Sequence, residues 1–324
     1  MKKAVILDYQ SLAPTDLDLS ALWAIEGIDW QRYDYSSAQQ TGERIRGANI
    51  ILSNKVCLDA TLLQQNPQLE LIIILATGTN NVDLKAAHAL NIRVCNIVAY
   101  STESVVQHTF ASLLALQSRL LDYDKAVKAG QWSKSQSFAL LDFPIAEIAG
   151  KTLGIIGFGA IGKRVKQVAE AFNMKVMVSE SLVPGADKDH TRSTLTELYH
   201  EADVISIHCP LSQYSENLID AAAFKQMKPG AVLINVGRGG IVNEHALLEA
   251  LEKGLIRGAA TDVLTQEPPP ENHILLHADI PNLIITPHTA WASREARQSL
   301  IQQVCEILTA HHKQLTLPNC VTGK

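Results

Sequence analysis

Long apolar runs, paired cysteines and an excess of positive charge are all missing from this chain of 324 residues. Each absence removes a class of protein. The first apolar run, residues 4–7, stops at Asp8, far short of a signal-peptide core, and no later run approaches a membrane span. The five cysteines, Cys57, Cys95, Cys209, Cys305 and Cys320, are odd in number and never stand at C-x-x-C spacing. That pattern predicts reduced cytoplasmic thiols and no metal site. A formal net charge of −5 gives no general reason to expect nucleic acid or an anionic membrane as a partner. Internal repeats and low-complexity tracts are absent too.

The remaining composition is that of an ordinary globular protein, 47% apolar and 19% charged. The length, about twice that of a usual domain, predicts two domains. From the start, strand-like apolar runs alternate with helix-like segments: 4–7 then 15–26, 49–52 then 59–65, 71–75 then 83–90, and then 92–97. Such alternation predicts a parallel sheet covered by helices on both faces. Between the third run and its helix lies a small polar turn, Ala76-Thr77-Gly78-Thr79-Asn80-Asn81-Val82-Asp83. At a strand's C-terminal end its N–H groups suit a small anion, and Asn81 or Asp83 equally suits an ordinary helix cap. The segment 101–129 has a Ser/Thr start and apolar residues at helical spacing through Val105, Phe110, Leu113, Leu114 and Leu121. It is long enough to bridge two domains. Residues 130–150, with Trp132, Phe138, Leu140, Leu141, Phe143 and Pro144, show no period and read as an extended arm, packed on a second subunit or on its own chain.

The organising stretch is 151–165. An apolar strand, 153–156, runs into Gly157-Phe158-Gly159-Ala160-Ile161-Gly162 and a helix-forming segment at 163–171. This is the G-x-G-x-x-G spacing of a dinucleotide site: Gly157 for the tight turn, Gly159 for approach to the pyrophosphate, Gly162 for close helix–strand packing. Taken alone, the same residues also suit a plain Gly-rich turn. The next strand, 175–178, leads to Glu180, near the distance of about 20 residues at which a carboxylate holds the adenine ribose. Ser181 and Leu182 follow it, with no adjacent arginine. This favours NAD over NADP, while Lys188 or Arg192 folding back would weaken the preference.

Later strands also end in polar residues. Residues 204–207 lead to His208-Cys209-Pro210, residues 231–236 end at Val236 before Gly237-Arg238-Gly239-Gly240, residues 259–260 lead to Asp262, and residues 283–285 lead to Thr286-Pro287-His288. The C-terminal ends of parallel strands share one rim, where doubly wound sheets bind ligands. Hydride transfer to a carbonyl needs a cationic clamp and a proton donor beside a fixed nicotinamide. Arg238 suits the clamp through its planar fork. His288 suits the donor, and Glu267, ahead of Pro268-Pro269-Pro270, is a candidate partner that favours imidazolium and fixes the ring. His88, His190, His200, His245, His273, His311 and His312 read as structural or surface residues, as does His208 apart from its place on the rim. A helix over 293–311 is expected to return to the outer domain, making the cofactor domain an insertion, with closure of a cleft between the two.

These residues together resemble the D-isomer-specific 2-hydroxyacid dehydrogenase family over nearly the whole chain. The motifs are the turn at 76–83, the glycine fingerprint, Asn235-Val236-Gly237-Arg238-Gly239-Gly240-Ile241-Val242, Asp262 through Glu267-Pro268, and Pro287-His288. Within the family, the 76–83 turn, Thr102-Glu103-Ser104-Val105 and His288-Thr289-Ala290-Trp291 are most similar to the glycerate dehydrogenase, or hydroxypyruvate reductase, branch.

The resemblance implies an α/β architecture of two doubly wound parallel-sheet domains, a Rossmann cofactor domain (101–287) inserted into a flavodoxin-like substrate domain (1–100 plus 288–324). It implies Arg238, Glu267 and His288 as catalytic residues, with Thr77, Gly78 and Thr79 joining Arg238 and His288 at the substrate. It implies cofactor contacts from Thr102, Gly157, Gly159, Ala160, Ile161, Gly162, Glu180, His208, Cys209, Pro210, Val236, Gly237, Asp262 and His288, with Asp262 at the nicotinamide carboxamide. A 2-keto or D-2-hydroxy acid is the implied substrate, hydroxypyruvate and D-glycerate first, with glyoxylate, lactate-type acids and phosphoglycerate as alternatives. NAD is the implied cofactor, a homodimer the implied assembly, and no nucleic acid or membrane the implied partner. An NAD-sensing corepressor-like protein is the alternative outside the enzymes. Many relatives pair the ribose carboxylate with an arginine, whereas this chain has Glu180-Ser181.

Overall fold

The computed structural model describes residues 1–186, 191–277, 280 and 282–322; Lys188 and His190 lie outside them. The chain divides into two compact units, one made of Met1–Ser101 and Ala292–Lys324, the other of Thr102–Trp291. The second unit runs to Trp291, so His288, expected in the first unit, falls in the second.

The first unit is built on five parallel strands: β1 (Lys2–Ile6), β2 (Ile28–Arg32), β3 (Ile50–Ser53), β4 (Leu71–Ile74) and β5 (Arg93–Asn96), in the order β2-β1-β3-β4-β5. Successive side chains leave opposite faces of a strand. Ala4 and Ile6 therefore join Leu300, Ile301 and Val304 in one core, whereas Val5 and Leu7 join Ile45, Leu63 and Ala87 in another. With both faces covered, β3 and β4 are buried throughout and apolar but for Ser53.

The helix Arg294–His312 brings the first of those cores its final layer. Ser293 caps it through Ala296 N, and Arg297 forms a two-pronged pair with Asp16 at 2.7 and 2.8 Å. The chain's last described residues then cover the edge of β5, with Val321 N donating to Val94 O and Asn96 N donating to Asn319 O.

Two local expectations need correction. No helix fills 15–26. A 3₁₀ turn (Pro14–Asp16) and a single helical turn (Ser20–Trp23) stand there, Gly27 turns the chain at φ +75°, and β2 follows. The segment 101–129 is two helices, Thr102–Ser118 and Leu120–Lys128, broken at Arg119, whose φ of 53° is left-handed. Its guanidinium holds Asp122 at 2.7 Å and lies 5.5 Å from the Phe143 ring centroid. In the arm that follows, Phe143 packs edge-on against Tyr123, while Phe138 is 92% and Leu141 78% exposed.

The second unit carries six parallel strands: β6 (Thr152–Ile156), β7 (Lys175–Val178), β8 (Val204–Ile207), β9 (Val232–Asn235), β10 (Gly258–Thr261) and β11 (Leu283–Ile285). Their order is β11-β10-β9-β8-β6-β7. Beyond β7 a single bridge, Ser179 to Ser193, takes the place of the further strand of a classical dinucleotide fold. Buried residues again fall into two clusters, one per face of the sheet. No helix among the described residues is long and apolar enough to cross a membrane.

Candidate active site

The order of strands in the second sheet reverses between β6 and β8, and the glycine turn leaves β6 at that point. Its glycines are demanded by the surrounding backbone. Gly157 has φ +95°, and a Cβ on it would come within 2.4 Å of Cys209 N; a Cβ on Gly162 would stand 2.2 Å from Gly157 O. A Cβ on Gly159, by contrast, would meet no atom within 4 Å. Gly159 is the N-cap of the helix Ala160–Ala171 and supplies no side-chain cap, so the first N–H groups of that helix need an outside acceptor, as an anion site requires.

Beside the turn lies a cavity of about 240 Å³, lined among others by Gly157, Phe158, Glu180, Ser181, Arg192 and Pro210. Ser179 Oγ, also in its wall, is buried without a hydrogen-bond partner among the described residues, as is His208 Nδ1 in the next strand exit. A glycine turn that leads into an uncapped helix start, with a carboxylate and a buried orphaned hydroxyl around the concavity beside it, fits a dinucleotide. Among the described residues no cluster of three or more His, Cys, Asp or Glu is placed to hold a metal ion.

His208 is held by Ser206, whose Oγ lies 2.8 Å from Nε2, and burial pushes its pKa down to about 4. It is therefore neutral at pH 7, and burial likewise raises the Cys209 thiol to about 11. Neither group acts as an acid, base or nucleophile near neutral pH. The His208 shift has a consequence for stability. Its folded pKa lies below the unfolded value of about 6.5, so its contribution is complete above that pH and is lost as pH falls toward 4. The expected loss is on the order of 3 kcal/mol at the acid end. Urea unfolding at pH 7 and pH 4.5 should show a steeper loss for the wild type than for His208→Gln; parallel slopes would refute this assignment.

Three neighbouring strands then deliver the polar residues. Asn235, Thr261 and Ile285 face one another across β9, β10 and β11, so Arg238, Asp262 and His288 all emerge on the same edge. Strand spacing sets the exits of β9 and β11 about 10 Å apart, close enough for an arginine and a histidine to converge on one small molecule. Asn235 ties down the first exit, its Nδ2 donating to Arg238 O at 2.9 Å and its Oδ1 accepting from Gly237 N at 3.1 Å. Arg238 donates from Nη1 to Gly237 O at 2.8 Å.

His288 has φ +55°, an uncommon conformation for a residue with a Cβ, and its N–H donates to Asp262 O at 2.8 Å. Its Nδ1 lies 2.6 Å from Glu267 Oε2, while Glu267 Oε1 accepts from Leu264 N at 2.9 Å. An ionised carboxylate only accepts, so Nδ1 carries the proton and Nε2 is left for other chemistry.

Asp262 is buried and its carboxylate is already occupied. It accepts from Thr286 Oγ1 at 2.6 Å, Thr289 N at 2.9 Å and Ala290 N at 2.8 Å, so it anchors the loop that carries His288. Thr286 spends its only proton on Asp262, so His108 Nε2, 3.0 Å away, must donate to Thr286. His108 and Ser206 were not singled out from sequence, where each reads as an ordinary polar residue, and Asn235 and Thr286 stand there only within longer motifs, without a role of their own. Thr102 and Ile161 sit in the first turns of their helices. In the first unit, Thr77 donates from Oγ1 to Ile97 O and Asn96 Nδ2 donates to Thr77 O, fixing the start of the polar turn. Asp83 caps the helix after that turn through Ala86 N.

Residues 110–290 match the family model described as D-isomer specific 2-hydroxyacid dehydrogenase, NAD binding domain. The chain is 42% identical, over 95% of its length and 96% of the relative's, to a glycerate dehydrogenase of Methylorubrum extorquens. Among solved structures, a D-lactate dehydrogenase from Aquifex aeolicus complexed with NAD and lactic acid superposes with TM-score 0.82 at 28% identity, covering 100% of both chains. An NADPH-dependent glyoxylate/hydroxypyruvate reductase from Sinorhizobium meliloti, in complex with citrate, gives TM-score 0.82 at 26% identity over 99% of this chain and 98% of that one.

Proposed function

The chain belongs to the D-isomer specific 2-hydroxyacid dehydrogenase family, and on that footing we propose that it reduces hydroxypyruvate to D-glycerate, with Arg238, Glu267 and His288 as its catalytic residues. It is an oxidoreductase of 2-keto and D-2-hydroxy acids with a dinucleotide-binding unit. The observation that carries the residue assignment is the 2.6 Å pair of His288 and Glu267, two strands from Arg238 on one sheet edge.

In this reading Arg238 pairs with the substrate carboxylate and leans on the carbonyl oxygen, drawing charge toward it. When bound, the nicotinamide supplies a hydride to the carbonyl carbon or takes it back. His288, protonated, gives the Nε2 proton to the oxygen as negative charge develops there. Glu267 holds the ring through Nδ1–H and balances the imidazolium charge. In the reverse direction neutral His288 accepts the hydroxyl proton at Nε2. Gly78 and Thr79 supply backbone N–H groups to the substrate carboxylate beside Thr77.

The cofactor is held by Gly157, Gly159, Ala160, Ile161 and Gly162 at the pyrophosphate, Glu180 at the ribose, and His208, Cys209, Pro210, Val236, Gly237, Thr102 and Asp262 along the remainder. Asp262 has about one lone-pair site left for the carboxamide, because three donors fill the others. A homodimer covering the exposed arm residues Phe138 and Leu141, and a cytoplasmic site of action for a chain with reduced thiols, complete the proposal.

The experiment is NADH oxidation with hydroxypyruvate, glyoxylate, pyruvate and 3-phosphohydroxypyruvate. The highest kcat/KM is expected with hydroxypyruvate; a preference for another keto acid would replace the substrate, and tight NADH binding without turnover would defeat the assignment.

A further inference from the structure

The loop that carries Glu267 is held at both ends by a carboxylate outside the reacting set. Glu244 is the first residue of the helix Glu244–Glu252, which Asn243 caps through Ala246 N. An acidic residue in a first helical turn commonly serves the helix dipole. Here both of its oxygens turn to the loop: Oε1 accepts from Thr265 N at 2.7 Å, and Oε2 lies 3.1 Å from His273 Nε2. The other ring nitrogen, Nδ1, accepts from Leu275 N at 3.3 Å, so the proton sits on Nε2 and points at Glu244. His273 is buried, and its backbone N–H donates to Pro270 O at 3.0 Å, closing the far side of the proline run. Between the two grips stands Glu267, which takes Leu264 N on Oε1 and His288 Nδ1 on Oε2. The Arg238 turn packs on the same loop: a Cβ on Gly239 would come within 1.9 Å of Leu264 C and 2.3 Å of Thr265 N.

We propose that Glu244, oriented by His273, is a positioning residue for the reaction: from the segment that carries Arg238, it fixes the loop from which Glu267 reaches His288. The proposal rests on the assignment of Arg238, Glu267 and His288 as the catalytic residues, and it adds two residues that act through Glu267. The route along the chain is short, because only the 3₁₀ turn Gly239–Ile241, Val242 and the cap Asn243 separate Arg238 from Glu244. The partners dictate the residue type. Thr265 N–H and His273 Nε2–H are both donors, so each oxygen of Glu244 must accept, and a carboxylate presents two acceptors on one planar head. A glutamine has one acceptor and one amide NH₂, which would face a donor at whichever end it met. Losing the hold on Thr265 frees a point two residues from Glu267, and a displacement of about 1 Å is enough to spoil a proton-transfer geometry.

The test is a double-mutant cycle in the full chain, read as steady-state kcat and KM with the 2-keto acid it turns over best, together with NADH affinity by nicotinamide fluorescence. Glu244→Gln is expected to lower kcat about tenfold, while KM and NADH affinity change by less than about threefold. In a Glu267→Gln background the same substitution should lower kcat by less than about twofold, because the carboxylate it positions is gone. His273→Leu should follow Glu244→Gln in both backgrounds. His273→Gln, whose amide N–H reaches the place of Nε2–H, should recover most of that loss, and this pair carries the test if Glu244→Gln does not fold. An equal drop in both backgrounds would overturn the proposal by making Glu244 a support for the fold alone. Wild-type kcat, or a change confined to KM, would overturn it as well. If Glu267→Gln by itself kept wild-type kcat, the catalytic assignment of Glu267 would fall and the proposal with it.

Discussion

Replacing His288 with glutamine is expected to lower kcat for 2-keto-acid reduction by about 10²–10⁴-fold, measured as NADH oxidation at saturating substrate. Glutamine retains a polar head of similar reach and can still donate a hydrogen bond. It cannot surrender a proton to a developing alkoxide. The change also strips Glu267 Oε2 of its 2.6 Å partner, while the bond from Leu264 N still anchors the carboxylate. NADH affinity should be nearly unaffected, because the glycine turn and the Glu180 cavity lie at the ends of β6 and β7, on the far side of β8 and β9 from β11. Turnover within a few-fold of wild type would remove His288 from proton transfer.

Arg238→Lys should cost about 10²–10³-fold in kcat/KM, with kcat itself reduced. The substitution keeps the positive charge and loses the planar fork, so the two-point hold on carboxylate and carbonyl oxygen is broken. The donor to Gly237 O goes too, although Asn235 continues to brace the turn from both sides. A raised KM at unchanged kcat would sink the transition-state role and leave Arg238 as an anchor for the ground state.

The parts of this molecule that were legible in its sequence are those where burial leaves little choice. The Ile-Ile-Leu-Ser and Leu-Ile-Ile-Ile runs of β3 and β4 are buried on both faces and could be read as central parallel strands. Gly157 and Gly162 were readable because backbone atoms lie where a Cβ would go. The strand-end set of Arg238, Asp262 and His288 followed from parallel topology, which sends all C-termini to one edge.

The illegible parts are those decided by partners far along the chain. In β2, Ile28 and Trp30 alternate with Asp29 and Gln31 on a sheet edge, so its apolar signal is half the usual strength. Arg119 breaks a helix although it is neither Gly, Asn nor Pro. Pairing of Glu267 with His288 spans 21 residues and is legible in the sequence only as a candidate, whereas the His108–Thr286–Asp262 chain spans far more and leaves no sign in the spacing.

The division of the chain also fixes an order of assembly. Leu300, Ile301, Val304, Ile307 and Leu308 belong to the same core as Ile6, Leu22 and Ile73, yet they follow them by more than 200 residues in the chain. All of the contiguous unit Thr102–Trp291 is synthesised in between. At about 5–20 residues per second, that interval is on the order of 10–40 s on the ribosome. During it, one face of the first sheet lacks its covering helix and β5 lacks its terminal strap. The split unit is thus completed only after the contiguous one has been made.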